Sequence, residues 1–403
     1  MPSLDELPAN PGPDQALTAG VAAPDPGPPS AALAGVRLAV KDLVAVAGRP
    51  LRAGTLARAD APPEPRDAAV VARLRAAGAD VGPSVSLHEI AFGTTGINDR
   101  VGFPANPHDP ACIPGGSSSG SAVAVAEGSA DLAIGTDTGG SVRIPAALCG
   151  VVGFKPSYGS YPTDGVLALS TTLDHIGLLA PSVAAVARAH QVLTGDGVLP
   201  AGGAGPVAPG RLGIERTALA VADPPVAAAV DRVLRALRDA GWELVDVAWP
   251  GRERVQEVTT TIMFAEAAAR HRTLLDHHAD RLGADVRARL ELGAGLTHDA
   301  YSSARSEAVA LTTEVARILD SLDAVVGPTV PIAAPTIDRA RAEPTLPAVL
   351  VSNTRIANVT GHPAVSVPVP TEGLPVGLQV MAATDDGALT VAAAVEHLAR
   401  SVS

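Results

Sequence analysis

The chain has 403 residues, 47% of them apolar but only 2% aromatic, and a formal net charge of −12. That length suffices for one large α/β unit or two domains, with a core that has to be built from Ala, Val and Leu. The acidic balance argues against a nucleic-acid groove, which needs a basic stripe, and two cysteines, Cys112 and Cys149, are too few for a disulfide framework and lack metal-ligand spacing. Residues 1–34 crowd Pro, Ala and Gly, with Pro24, Pro26, Pro28 and Pro29 in one stretch, and read as an irregular N-terminal tail. The start has no basic region followed by an apolar one, and no apolar run reaches membrane-spanning length unbroken, so a soluble, cytoplasmic protein is expected.

A single domain is expected over 35–403. The alternation in residues 35–41 predicts a strand with Lys41 at its end. Residues 67–78 predict a helix with Asp67 as N-cap, Val70, Val71 and Leu74 as its apolar face, and Gly78 at the C-terminal stop. Residues 119–128 read as a buried helix of small residues and 130–135 as a short core strand. A strong helix follows over 224–241, then a strand over 243–247. Residues 254–321 look mostly helical, broken near Gly293 and Gly295. Strands are expected at 325–329, 365–369 and 376–381, and the Gly/Pro/Ala tract at 195–210 reads as a surface loop. Strands alternating with helices give an α/β layered architecture.

Two glycine- and serine-rich blocks carry the chemistry: Gly115-Gly116-Ser117-Ser118-Ser119-Gly120-Ser121, then Gly135-Thr136-Asp137-Thr138-Gly139-Gly140-Ser141-Val142-Arg143. Glycines at this density let backbone N–H groups converge on one point, as an oxyanion requires. A serine there can be a nucleophile, and a buried lysine can be the base that activates it. Asp137 and Arg143 flank Ser141 and read as a structural pair that holds the loop. Ser118, Ser119 and Ser121 are expected to cap the following helix.

These blocks resemble the amidase signature family of Ser-Ser-Lys hydrolases. Further matches are Lys41-Asp42-Leu43, His88-Glu89-Ile90-Ala91-Phe92-Gly93, the run from Arg143 through Cys149-Gly150 to Phe154-Lys155-Pro156, Leu173-Asp174-His175-Ile176-Gly177, Gly327-Pro328-Thr329 and Leu374-Pro375-Val376-Gly377-Leu378-Gln379. The resemblance implies a large twisted mixed β-sheet covered on both faces by helices. It implies Ser141 as acyl-forming nucleophile, Ser117 as bridging serine after a cis Gly116–Ser117 bond, and Lys41 as base. The oxyanion donors would be the N–H groups of Thr138, Gly139, Gly140 and Ser141. To act as base Lys41 has to be neutral, so burial should depress its pKa far below the usual value of about 10.4.

The resemblance also places Phe92, Gly93, Thr94 and Thr136, with Thr138, around a largely uncharged substrate pocket. In the glutamine-using amidotransferase members of this family an arginine on the helix corresponding to 298–321 holds the substrate carboxylate. Ala308 stands at that place here, with Arg305 nearby, which favours a neutral small or medium amide. Hydrolysis to acid and ammonia or amine, transfer of the acyl group to an amine, and service as the amidotransferase component of a complex all use the same three residues. No metal or other cofactor is expected. A homodimer is one expected assembly, although the helical segment that usually precedes the lysine block, and contributes to dimer contacts in relatives, is largely replaced by the Pro-rich tail.

Two other patterns are weaker. Gly116-Ser117-Ser118-Ser119-Gly120 fits a nucleophile-elbow motif, but 112–115 before it makes a poor strand, and His175, His298 and His362 read as loop or helix-face residues rather than triad partners. His277-His278 lacks the spacing of a zinc site.

Overall fold

The computed structural model describes residues 31–195 and 207–402. Most of the proline-rich segment and residues 196–206 of the expected surface loop lie outside them. Leu33, within the stretch assigned to the tail, is buried against the domain and donates its N–H to the Ala77 carbonyl at 2.9 Å.

Ten strands are found among the described residues. They are β1 (Arg37–Lys41), β2 (Asp80–Val85), β3 (Leu132–Asp137), β4 (Val152–Lys155), β5 (His175–Ala180), β6 (Arg211–Ile214), β7 (Glu243–Asp246), β8 (Ala324–Pro328), β9 (Ala364–Val369) and β10 (Val376–Met381). They form one mixed sheet in the order β2-β1-β3-β5-β4-β9-β10-β8-β6-β7. The flanks are parallel, with β1 between β2 and β3 on one side and β6 between β7 and β8 on the other. The centre from β3 to β8 is antiparallel throughout. The fully buried strands β3, β4, β5, β8 and β10 have helices on both sides, as a sheet apolar on both faces requires.

The period of two decides where the lysine goes. Leu38 and Val40 of β1 enter the large core layer, which also receives Val70, Val71 and Leu74 of helix Ala69–Ala76. Ala39 enters the opposite layer with Ala122, Val123 and Val125 of helix Ser119–Ala126. Lys41 has the parity of Ala39 and therefore shares the face covered by that serine-entered helix. Parallel pairing of β1 with β3, in the register Val40 opposite Ile134, brings the carboxyl ends of both strands together. Clefts of open α/β sheets form at such ends.

Several local expectations change. Helix Ala69–Ala76 starts after Ala68, not Asp67. The Asp67 carboxylate instead accepts the Ala47 N–H at 2.8 Å and pairs with Arg75 at 2.7 Å, while Gly78 does adopt φ +94° after the last turn. The 254–321 region is four helices, Arg252–Arg270, Arg272–His278, Ala284–Ala294 and His298–Leu319, with extra breaks at His271 and across 279–283. Gly293 lies inside its helix. A Cβ there would stand 2.0 Å from the Phe264 carbonyl oxygen, so this glycine lets two helices approach rather than ending one. His175 opens strand β5 instead of lying in a loop or on a helix. Among the described residues no helix is long and apolar enough to cross a membrane.

Candidate active site

Lys41 is fully buried and its ammonium nitrogen meets only hydroxyls. Nζ lies 2.8 Å from Ser117 Oγ, 3.0 Å from Ser118 Oγ and 2.7 Å from Thr136 Oγ1. Burial lowers its pKa to about 7, partly opposed by the more distant charges of Asp137 and Asp174. The chain's other lysine, Lys155, is also fully buried, donating to the Pro156 carbonyl at 2.8 Å.

Ser117 follows a cis Gly116–Ser117 peptide bond. Its carbonyl accepts the His88 N–H at 3.1 Å, and the Gly116 N–H is held by the Thr94 carbonyl at 2.7 Å. The two glycine blocks are tied directly, because Ser118 N–H donates to the Ser141 carbonyl at 3.1 Å. Ser118 occupies the N-cap position of helix Ser119–Ala126 but does not cap it. Its hydroxyl accepts from Lys41 and bonds the Thr136 backbone, at 3.2 Å to the carbonyl and 3.3 Å from the N–H. Ser121 likewise donates to the Ile134 carbonyl on β3 at 2.9 Å, and Ser119 Oγ is buried with no partner among the described residues. The expected caps thus go to the strand and the lysine, because the helix packs flat over β1 and β3 and points these hydroxyls at the sheet.

Around Ser141 the loop is held by one buried carboxylate. Asp137 accepts from the N–H groups of Gly140 at 2.7 Å and Val142 at 3.1 Å, from Arg143 Nε at 3.0 Å and Nη2 at 2.9 Å, and from Asn358 Nδ2 at 2.8 Å. Arg143 spends its other donors on the Thr354 carbonyl at 2.9 Å, Gln379 Oε1 at 2.7 Å and Asn358 Oδ1 at 2.7 Å. Burial alone would raise the Asp137 pKa, but the Arg143 guanidinium overrides it and holds the carboxyl well below the usual range. Both charges are satisfied inside the protein, as a structural pair requires. Asp137→Ala, which leaves Arg143 buried without its ion partner, is expected to lower the unfolding free energy by about 3–5 kcal/mol. Urea denaturation measures this, and a loss well under 1 kcal/mol would contradict the structural role.

The Gly140 N–H is therefore already committed to Asp137. The N–H groups of Thr138, Gly139 and Ser141 have no acceptor among the described residues. Gly140 has φ +129°, and a Cβ there would stand 2.2 Å from Thr354 Oγ1, so this turn admits only glycine. Ser141 keeps 6% of its surface accessible whereas Ser117 has none, so solvent or substrate reaches the second serine first. The Thr138 hydroxyl donates to Asp174 at 2.6 Å, and burial raises that carboxyl to about 6.

The expected pocket residues divide. The Thr136 hydroxyl is turned to Lys41, so its side chain positions the amine. Phe92 is buried edge-on to Phe264 with ring centroids 5.1 Å apart. Gly93 lies under His88, whose Nε2 would be 2.0 Å from a Cβ on that glycine. Thr94 Oγ1 is buried without a partner among the described residues. Sequence reasoning missed the segment 353–358, where Asn353, Thr354 and Asn358 are buried polar residues. Thr354 Oγ1 donates to the Gly139 carbonyl at 2.6 Å, and Arg355 stands next to it. That cluster of buried Asn and Thr was the available signal.

The mixed sheet and the buried lysine bonded to serines mark the class: a hydrolase whose site is built from lysine and hydroxyls. Residues 13–390 match the family model described as Amidase. The A subunit of the glutamyl-tRNA(Gln) amidotransferase of Halobacterium salinarum is 35% identical over an alignment of 406 residues, covering 91% of this chain and 96% of that protein. A 2-amino-5-chloromuconic acid deaminase of Comamonas testosteroni is 36% identical over 371 residues, covering 89% and 79%. A crystal structure of an amidase superposes with a TM-score of 0.82 at 37% identity, covering 91% of this chain and 85% of that one. The chain belongs to the amidase family.

Proposed function

We propose that the protein hydrolyses the amide bond of a small or medium carboxamide through an acyl-enzyme on Ser141. The observation that carries this reading is the fully buried Lys41 whose only polar partners are hydroxyls. A neutral amine has two N–H donors and one lone pair, which suits three such partners. Ser118 sends its own hydrogen to the Thr136 carbonyl and so accepts from Lys41. The lone pair is then left for the Ser117 proton.

In this reading Ser141 Oγ attacks the amide carbon while its proton passes to Ser117 and the Ser117 proton to Lys41. Charge on the carbonyl oxygen is met by the uncommitted N–H groups of Thr138, Gly139 and Ser141. The C–N bond breaks as a proton returns through Ser117 to the leaving nitrogen. Water then attacks the acyl-enzyme along the same path and releases the acid. The uncharged Phe92, Gly93 and Thr94 support a neutral reacting group.

The likeness to the amidotransferase protein of Halobacterium salinarum over nearly its whole length favours a second reading, a glutaminase acting within a complex. Against it, Ala308 occupies the helix position expected for a carboxylate-holding arginine, and Arg305 is turned to Glu266 at 3.6 Å. Transfer of the acyl group to an added amine in place of water is the third outcome. Ammonia release from aliphatic, aryl and arylacetyl amides and from glutamine, with added amines in parallel, separates the three. Turnover of amides other than glutamine is expected, and a protein active only on glutamine and only with a partner would displace this reading.

A further inference from the structure

Arg355 is a cation without a counter-ion beside the candidate oxyanion site. Among the described residues no carboxylate lies within ion-pair distance of it. Arg143, the fully buried arginine, instead pairs with Asp137 at 2.9 Å. One end of the Arg355 guanidinium is pinned: Nη1 donates to the Gln256 carbonyl at 3.3 Å, to Thr260 Oγ1 at 2.6 Å and to Gln256 Oε1. The other edge is unused. Nε is sealed from solvent with no acceptor, and Nη2 makes no hydrogen bond to any described residue.

That edge adjoins the reaction centre. Arg355 Nε is 3.7 Å from the point where a Cβ on Gly139 would stand, with the Met263 methyl 3.2 Å from the same point. The preceding residue, Thr354, is bonded to the Gly139 carbonyl at 2.6 Å, so the position of the guanidinium relative to the turn is anchored. Nε, buried with no acceptor, costs free energy unless a ligand supplies one, and Nη2 on the same edge is not buried, so a ligand meets that edge from the Nη2 side. The Nε/Nη2 edge presents two parallel N–H bonds, the geometry that a carboxylate accepts bidentately.

We propose that Arg355 binds a carboxylate on the substrate, so that the preferred substrate is an amide acid: a carboxamide whose acyl portion also carries a carboxylate close to the scissile carbonyl. This rests on the amidase reading of the same site. The uncharged Phe92–Thr94 side of the cleft then receives the amide end, and Arg355 the acidic end. Burial lowers the Arg355 pKa only to about 10, so the guanidinium stays charged at neutral pH.

The test pairs malonamate with malonamide and succinamate with succinamide, in wild type, Arg355→Gln and Arg355→Lys. Wild type is expected to favour the amide acid by about 10- to 100-fold in kcat/KM, the worth of a charge-assisted pair. Arg355→Gln should bring the ratio near one, and Arg355→Lys, which keeps the charge but loses the fork, should fall between. Arg305→Gln should leave the ratio unchanged. Calorimetry of malonate and succinate on the Ser141→Ala protein reads the anion site without hydrolysis, and binding there should vanish when Arg355→Gln is added. A wild-type preference for the diamide, a ratio untouched in a folded Arg355→Gln, or no dicarboxylate binding at millimolar concentration would each overturn the proposal. Arg355-dependent dicarboxylate binding with no amide turned over would instead keep the anion site and reject the amidase reading.

Discussion

Replacing Ser141 by alanine is expected to lower kcat/KM by roughly 10⁴- to 10⁶-fold on any amide that the wild type turns over, the scale on which loss of a nucleophile acts in serine hydrolases. The fold should survive, because Ser141 ties the glycine blocks together through its backbone carbonyl rather than its hydroxyl. Ammonia release measured beside thermal unfolding separates chemistry from stability. Activity within tenfold of wild type would move the nucleophile elsewhere, with Ser117 the first alternative. Ser117 has no accessible surface, however, and could not meet substrate without rearrangement. A Ser117→Ala protein should lose activity as well, since it breaks the path between Ser141 and Lys41.

The second large effect concerns protons. With its pKa lowered to about 7 by burial, Lys41 changes from ammonium to amine near neutrality. The kcat/KM profile should therefore rise with pH through about 7 and then level, because only the amine can accept the Ser117 proton. Lys41→Met should cost roughly 10²- to 10⁴-fold and remove that acid limb. A profile flat through neutrality would sink the assignment of Lys41 as base. Stability follows with its own sign. Between about 7 and the ordinary lysine range the unfolded chain binds a proton that the folded chain does not. The Lys41 contribution to unfolding free energy accordingly rises with pH across that window and is constant outside it. Comparing Lys41→Met with wild type by urea unfolding at several pH values isolates this contribution.

The parts of this fold legible in sequence are those where one local rule decides. Strands β1, β3, β8, β9 and β10 and the helix Pro224–Asp239 follow from alternation or from a 3.6-residue apolar face. The strand β2 escapes because Pro83 interrupts it and only one of its residues is fully buried. Strands β4 and β5 read only as motif blocks, and their strand character comes from antiparallel pairing with β9 and β3, partners distant in sequence. At the site, Lys41, Ser117 and Ser141 are visible as types in a pattern. That Thr136, 95 residues from Lys41, and Ser118, 77 residues away, turn their hydroxyls to its amine depends on the β1–β3 register and on how the helix lies across it. Arg355 escapes for a related reason. The expectation of a neutral substrate looks for a cation on helix His298–Leu319, and the cation enters from the short helix Arg355–Val359 behind Gly139.

The burial of Lys41 and Lys155 reaches beyond catalysis. Lysine and arginine together number 30, and these two are the chain's only lysines. The native surface thus owes its positive charge to guanidinium groups and offers no ε-amine to solvent. Amine-directed dyes, biotin esters and aldehyde cross-linkers should leave the folded protein unlabelled except at the α-amino group. Lysine labelling becomes a report on opening of the core, and attachment to a surface or a fluorophore has to proceed through other chemistry or an introduced residue.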